Sequence, residues 1–409
     1  MYKMNSSFLY HAWGLYNLEC SREEYKGNTI FLYTHSKKPQ SKCPKCGNCH
    51  LVKNGYRYRD FLALPIGGRR VVIRMKVQRY KCKHKGCDYD RQEKIAFATG
   101  SRTYTHRFAK YVVDLLRAMT LKDVANHLGV SWDVIKEIHS VYLQCHYNPP
   151  SLKGVESIGI DEFAVKKGHV YKTIVVDLNS GRILYVGNGK GMDALKNFWK
   201  KVKRKNIHIK YVATDFSPAF IASVFENCPD AIHVFDHFHV VKLMNDHLDD
   251  IRRKVYAMEK DINKRKVLKG TRYLLLSNGE DIFDSQHKTR LDNALAMNEP
   301  LSKAYYLKEQ LREIWTQVSK EQGEAVLNDW VKQARESKVP QLAKMAITLL
   351  TYRRGILAWY DCHISTGKVE GINNKIKVMK RNAYGFRDER YFTLRLYALH
   401  DCRITRNVG

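Results

Sequence analysis

The side chains best suited to chemistry fall into two sets, hard carboxylates and soft thiols. Asp161 lies in Ser157-Ile-Gly-Ile-Asp161-Glu162-Phe-Ala-Val, an apolar, strand-like run, where desolvation makes its charge costly unless a cation compensates it. Asp215 follows the run Tyr211-Val-Ala-Thr and precedes Ser217-Pro218, the N-cap and first-turn signature of a new helix. That puts it at the carboxyl end of a strand, where open α/β sheets bind ligands. Glu370 comes much later, in Ser365-Thr-Gly-Lys-Val-Glu370-Gly-Ile-Asn-Asn-Lys-Ile-Lys-Val-Met-Lys-Arg. At helical spacing, Val369, Ile372, Ile376 and Met379 form one stripe and Glu370, Asn374, Lys377 and Arg381 another. Such a helix buries one face and presents a carboxylate, an amide and two cations on the other. Gly371 and the Asn pair after it are weak helix formers, tolerable where a site matters more than helix stability. Each acid alone is equally at home as a solvated or structural residue; only their combination is informative.

The thiols are grouped differently. Cys43-Pro-Lys-Cys46 and Cys82-Lys-His-Lys-Gly-Cys87 are two knuckles that could each place two sulfurs on one face of a turn. Together they complete a tetrahedral zinc shell, with Cys49, His50 and His84 as alternative ligands. Four thiolates leave no open coordination position, so this zinc is expected to be structural.

These residues must be held by elements whose order can be read from the pattern. Strand-like runs occur at 156–165, 170–178, 182–188, 208–214 and 231–235, and helical patterns at 192–204, 217–227 and 237–256. The resulting β-β-β-α-β-α-β-α order predicts an α/β sheet layer. An Asp on its first strand, an Asp after its fourth and a Glu on a late helix follow the order of a ribonuclease-H-like nucleotidyl transferase. Residues 257–360 read almost entirely as helix; Trp315 sits on an apolar stripe there and is assigned to the core, where an aromatic ring gains most. Asn148-Pro149-Pro150-Ser151 marks a boundary.

Before that boundary, Leu121–Ile138 reads as a short helix, a turn at Gly129 and a second helix capped by Ser131, with Val124, Leu128, Val130, Val134, Ile135 and Ile138 facing inward. This is a helix-turn-helix pattern, with Ser131, Trp132 and Lys136 near the start of the helix that would enter a major groove. An ordinary helical hairpin has the same periodicity. Between the cysteine knuckles, Tyr56, Arg57, Tyr58, Arg59, Arg69, Arg70, Arg74, Lys76, Arg79 and Tyr80 interleave cations with aromatics. Arg69, Arg70 and Arg74 are candidate phosphate contacts.

The whole chain supports a polyanionic partner. It has 409 residues, with 71 Lys and Arg against 41 acidic residues, for a net charge of +30; such an excess favours nucleic acid. Apolar residues at 44% and charged residues at 27% exclude collagen, low-complexity disorder and a coiled-coil rod. Ten cysteines are too few for a secreted disulfide scaffold of this length. No run approaches the roughly 20 apolar residues of a membrane helix, and the start of the chain lacks a signal-peptide core. A cytoplasmic, nucleoid-associated protein is therefore expected.

Taken together, the paired-cysteine module, LKDVANHLGVSWDVIKEIH, GIDEFA, ATDFSPAF, VFDHFHVVK and KVEGINNKIKVMKRNAYGFR resemble the ISL-three type of bacterial insertion-sequence DDE transposases, across nearly the whole chain. The resemblance implies a multidomain α/β protein. An N-terminal zinc-ribbon-like DNA-binding module (1–100) and a helix-turn-helix (101–150) would precede a ribonuclease-H-like catalytic core (151–256). An all-helical insertion (257–360) would separate that core from its last part (361–409), which carries the third acid. It implies Asp161, Asp215 and Glu370 as the triad, holding two Mg²⁺ or Mn²⁺ ions, and His239 of Asp236-His-Phe-His239 as a residue that orients the phosphate; His237 and His239 could instead cap the helix that follows. The expected activity is hydrolysis at the ends of the element and transfer of the freed 3′-hydroxyls to target DNA. The partners would be the double-stranded terminal repeats and target DNA, with a homo-oligomer assembled on them. A non-catalytic DNA-binding regulator and a nuclease on the same fold are the competing expectations.

Overall fold

The computed structural model describes residues 6–166, 170–364 and 367–401; Ser365 and Thr366, the first two residues of the Glu370 motif, lie outside them. The chain divides into two compact units, 1–148 with 380–409, and 149–379. The division falls at the Pro149-Pro150 pair. Among the described residues no helix is long and apolar enough to cross a membrane.

The first unit begins with α1 (Ser6–Trp13) and a sheet of β1 (Leu18–Lys26), β2 (Thr29–Ser36), β3 (Leu51–Ile66), β4 (Arg69–Cys82) and β5 (Asp90–Gln92). The order is β1-β2-β4-β3, with β5 paired to β4; β2 and β4 run parallel and the other pairs antiparallel. Successive residues of a strand face opposite ways, and β3 and β4 use both faces. Phe61, Ala63, Val71, Ile73, Met75 and Val77 join Leu9, Trp13 and Leu32 in one core. Leu62 and Val72 point the other way, into the helices α2 (His106–Leu115), α3 (Leu121–Leu128) and α4 (Trp132–Tyr147). The helix-turn-helix is thus seated on the sheet. Thr120 and Asp123 form a capping box at the start of α3, and Gly129 ends it at φ 62°, a left-handed conformation natural to glycine. Val124, Leu128, Ile135 and Ile138 are buried, with Val130 and Val134 packed against them.

The second unit is built on β6 (Ser157–Lys166), β7 (Val170–Asp177), β8 (Ile183–Asn188), β9 (Tyr211–Thr214) and β10 (Ile232–Phe235), in the order β10-β9-β6-β7-β8. The first three form an antiparallel meander, and β9 and β10 add in parallel, the arrangement of a ribonuclease-H-like sheet. Ile158 and Ile160 face a core shared with α5 (Lys196–Arg204) and α6 (Pro218–Asn227). By alternation, Gly159 and Asp161 face the opposite side.

After α7 (His237–Met258) comes a run of helices: α8 (Ile262–Leu268), α9 (Arg272–Leu276), α10 (Ser285–Ala296), α11 (Glu299–Leu311), α12 (Lys320–Glu336), α13 (Pro340–Thr351), α14 (Arg353–Leu357) and α15 (Trp359–Cys362). They share one apolar core that includes Trp315, as its place on the apolar stripe predicts. Then α16 (Gly367–Asn382) returns to the sheet.

Residues 361–409 divide between the two compact units, most of α16 belonging to the second and the stretch from Lys380 to the first. The last helix, α17 (Glu389–Tyr397), packs on α4 of the first unit through Leu143, Tyr391, Leu394 and Ala398. The Tyr391 hydroxyl lies 2.7 Å from His139 Nδ1, deep in that contact. Helical periodicity alone cannot say which neighbour an apolar stripe meets.

Burial, with a contribution from the Arg395 charge, holds the His139 pKa down to about 3. The unfolded chain takes up a proton near pH 6.5 and the folded one does not, so His139 supports the fold above that pH and costs stability as pH falls from about 6.5 towards 3. A His139→Gln variant should therefore lose less stability than the parent between pH 7 and 4, by roughly a few kcal/mol. Urea unfolding across this range measures the difference; parallel curves would contradict it.

Candidate active site and metal centre

The four cysteines are already a ligand set. The sulfurs of Cys43, Cys46, Cys82 and Cys87 all lie within 4.8 Å of one another, and the Cys43–Cys87 and Cys46–Cys82 pairs are each 3.7 Å apart. A tetrahedron with metal–sulfur bonds of about 2.3 Å has edges of about 3.8 Å, so the donor set and its spacing fit zinc. Leu51 of β3 pairs with Cys82 of β4, so the site ties the start of one long strand to the end of the other. Cys49 is exposed, and the His84 ring faces the Asn48 amide at 3.2 Å; neither they nor His50 join the cluster.

The carboxylate site is assembled by side chains from three regions of the chain. Asp161 sits half-buried on β6. Its Oδ1 accepts the backbone N–H of Glu162 at 2.7 Å, and its Oδ2 accepts from the Asn373 side chain of α16 at 2.6 Å. Beside it, Val369 of α16 fills the space over Gly159: a Cβ at Gly159 would lie 2.4 Å from Val369 Cγ2. Lys368 reaches across to donate to the Asn179 carbonyl at 2.6 Å. The first turn of α16 is thereby fixed on the sheet. Glu370 lies in that turn, exposed, three residues before Asn373, which is less than one helical turn, or about 5 Å along the axis.

Asp215 follows directly on β9, and its Oδ1 accepts the Ser217 N–H at 3.0 Å. That bond opens α6, whose N-cap Ser217 makes no side-chain cap of its own. Asp236 is buried at the end of β10 and caps α7 by accepting from Phe238 N at 3.1 Å. The histidines, offered as alternative caps, do not perform that task. His239 Nε2 stands 4.0 Å from Asp236 Oδ2, and His237 Nδ1 3.7 Å from Oδ1.

Charge links these groups into one neighbourhood. Burial pushes the Asp161 carboxyl above the ordinary carboxylate range and the Asp215 charge adds to this, while the Glu162 amide, His239 and Asn373 act in the opposite direction. Burial likewise raises Asp236, which responds to His237, His239 and Glu370. Glu162 is raised by burial and by Asp215. Among the described residues, Asp161, Asp215 and Glu370 do not form a closed ligand cluster like that of the sulfurs. Asn373 is the site residue that sequence reasoning missed. Its signal was its place less than one turn after Glu370 on the same helix.

The predicted DNA contacts divide into side chains that are exposed and side chains held by carboxylates or a cap. Arg69, Arg70, Trp132, Asn374, Lys377 and Arg381 are exposed. Arg74, by contrast, is clamped by Asp60 through two bonds of 2.8 and 2.7 Å. Lys136 pairs with Asp388 at 2.7 Å, and Ser131 Oγ accepts the Asp133 N–H as the cap of α4. A base or phosphate contact by Arg74 or Lys136 would have to compete with these carboxylates.

A ribonuclease-H-like sheet bearing acids at Asp161 and Asp215, carried with a thiolate ribbon and a helix-turn-helix, is the build of a DDE transposase. The comparisons agree by region: a transposase family model matches residues 158–396, a zinc-finger of transposase IS204/IS1001/IS1096/IS1165 matches 39–87, and a helix-turn-helix domain of transposase family ISL3 matches 97–138. The chain belongs to the ISL3 family of transposases. It is 33% identical over 384 residues to the transposase for insertion sequence element IS1001 of Bordetella parapertussis, covering 92% of each chain. It is 27% identical over 371 residues to the transposase for IS1557 of Mycobacterium tuberculosis, covering 85% of this chain and 82% of the other. The Drosophila P element transposase strand transfer complex matches at TM-score 0.39 and 11% identity, over 77% of this chain and 94% of that one, too distant to bear on function.

Two measurements test this geometry. Gly159→Ala should cost about 1–3 kcal/mol by overpacking, and in a Val369→Ala background the same change should cost clearly less, the remaining close neighbour being Leu178 Cδ2 at 2.9 Å. Equal costs in both backgrounds, read from denaturant midpoints, would mean that the helix does not rest on Gly159. For the ribbon, Cys46→Ser or exhaustive chelation should release about one zinc per chain and lower the melting temperature; an unchanged melting curve after metal loss would contradict a structural zinc.

Proposed function

We propose that this transposase binds the ends of its element and uses Asp161, Asp215 and Glu370 with Mg²⁺ or Mn²⁺ to cleave and then join DNA strands. The observation that carries this reading is the Asn373–Asp161 bond, which brings the helix of Glu370 to the strand of Asp161. Hard carboxylate oxygens select Mg²⁺ or Mn²⁺ over zinc, and the burial that raises Asp161 favours a compensating cation. Bound divalent ions would supply activation of the attacking oxygen and stabilisation of the leaving one.

The residues of the chain hold and aim the reactants. Asp161, Asp215 and Glu370 provide the metal-binding oxygens. His239, close to both Asp161 and Asp236 in charge, is suited to steady a nonbridging phosphate oxygen. Lys377 and Arg381, exposed further along the same helix as Glu370, can grip the backbone without reading sequence. In the first step a water oxygen bonds to phosphorus as the 3′-oxygen leaves and gains a proton. In the second, that 3′-hydroxyl attacks a target phosphodiester, losing its proton as a target strand is released. End recognition falls to the zinc ribbon and the helix-turn-helix, and because an element has two ends, at least two copies are expected to act together. The expected place of action is cytoplasmic DNA.

Asp161→Ala, Asp215→Ala and Glu370→Ala should each abolish Mg²⁺-dependent cleavage of element-end DNA while leaving end binding intact in a gel shift. Wild-type cleavage by any one variant removes that residue from the triad. Strand-transfer products from pre-cleaved ends distinguish a transposase from a nuclease that only cuts, and metal-independent binding with no cleavage would identify a regulator.

A further inference from the structure

The Asn373 amide is engaged on one side only. Its nitrogen donates to Asp161 Oδ2 at 2.6 Å, the orientation an ionised carboxylate demands, since the amide oxygen in that place would face like charge. Its Oδ1 is buried and, among the described residues, receives no hydrogen bond. A buried acceptor without a donor is costly, and this one adjoins a carboxylate whose own charge is disfavoured by burial. Asn374, the next residue, is exposed and accepts from Lys377 at 3.3 Å. The two asparagines of the motif therefore have different surroundings, and only the first is turned to the acid.

We propose that Asn373 is a positioning residue for the divalent-cation site: its nitrogen fixes the Asp161 carboxylate, and its buried Oδ1 accepts a hydrogen bond from water carried by the cation. The inference rests on the metal-dependent reading of Asp161. The Glu162 amide holds one carboxylate oxygen and Asn373 the other, so the group has a single orientation, and each oxygen keeps a lone pair for metal. The ligand is a hydrated hard cation. A 3′-hydroxyl is also an O–H donor, but it would leave cation binding in the absence of DNA unaffected, which separates the two sources.

The test is Mn²⁺ titration of the full-length, DNA-free protein, followed by electron paramagnetic resonance of the free ion. Asn373→Ala should weaken Mn²⁺ binding by about tenfold or more, as loss of an outer-shell partner does, while Asn374→Ala should not. Cleavage by Asn373→Ala should then recover as Mn²⁺ is raised, a shift in metal dependence that a purely structural defect would not produce. If the Ala variant melts early without metal, Asn373→Ser supplies a small polar replacement with the same expected weakening. Wild-type Mn²⁺ affinity in a folded Asn373 variant, with affinity lost in Asp161→Ala, overturns this inference and leaves the triad standing. Wild-type affinity in Asp161→Ala overturns the triad reading itself.

Discussion

Placing a carboxylate inside a sheet is the constraint around which the second unit is organised. Asp161 shares a face of β6 with Gly159, opposite the apolar face of Ile158 and Ile160 that packs on α5 and α6. A bare sheet would leave that acid in water. Docking α16 over Gly159 removes solvent from it, and the same helix returns the amide that partly offsets the loss. Burial and compensation thus come from one element, and Glu370 arrives with it. The site is held short of neutrality: Asp161, Glu162 and Asp236 all have their charged forms disfavoured by burial. Such an arrangement lowers the cost of bringing in a cation, because the ion relieves a penalty that the fold has already accepted.

The long helical run follows from the same requirement. Between Asp215 and Glu370 the chain must leave the sheet beyond β10 and come back in register with β6. The helices from α7 to α15 do this around a core of their own, which begins at Phe235 and Val240 beside the capping residue Asp236. Gly355 of α14 reaches the sheet so closely that a Cβ there would lie 2.4 Å from the Phe235 ring. The insertion is therefore anchored at the strand edge that carries Asp236, and His237 and His239 open the first helix of the excursion.

Local pattern made much of this legible. Apolar runs marked β6 to β10 within a few residues, because strands buried on both faces carry nearly continuous apolar sequence. The four cysteines could be chosen over Cys49, His50 and His84 by knuckle spacing, a property of short loops. The buried stripe of α16 followed from its period. What stayed hidden was set by distant partners. Nothing near Lys136 or Arg74 announces Asp388 or Asp60, so both look like free cations. Asn373 lies between the two stripes of its helix, and only the position of β6 gives it a role. The pairing of α17 with α4 depends on His139 meeting Tyr391, 252 residues away.

In the first unit, metal and helix-turn-helix meet through one hairpin. The zinc ligands bracket the ends of β3 and β4 at Leu51 and Cys82, while the helices rest on Leu62 and Val72, a register pair further along the same two strands. The Arg74–Asp60 clamp lies next to that pair and holds the strands together on the exposed side. A long two-stranded ribbon is at best marginally stable alone, so ligation at one end and helix packing near the other each limit fraying of the strands between. Arg57 and Tyr58, paired with Val77 and Lys76, occupy that intervening stretch. The cations and exposed aromatics of that stretch are thus carried on backbone pinned at both ends, and would lose little freedom on binding a polyanion. Rigidity of this kind, more than the number of charges, lets a strongly basic surface hold one register on a polyanion.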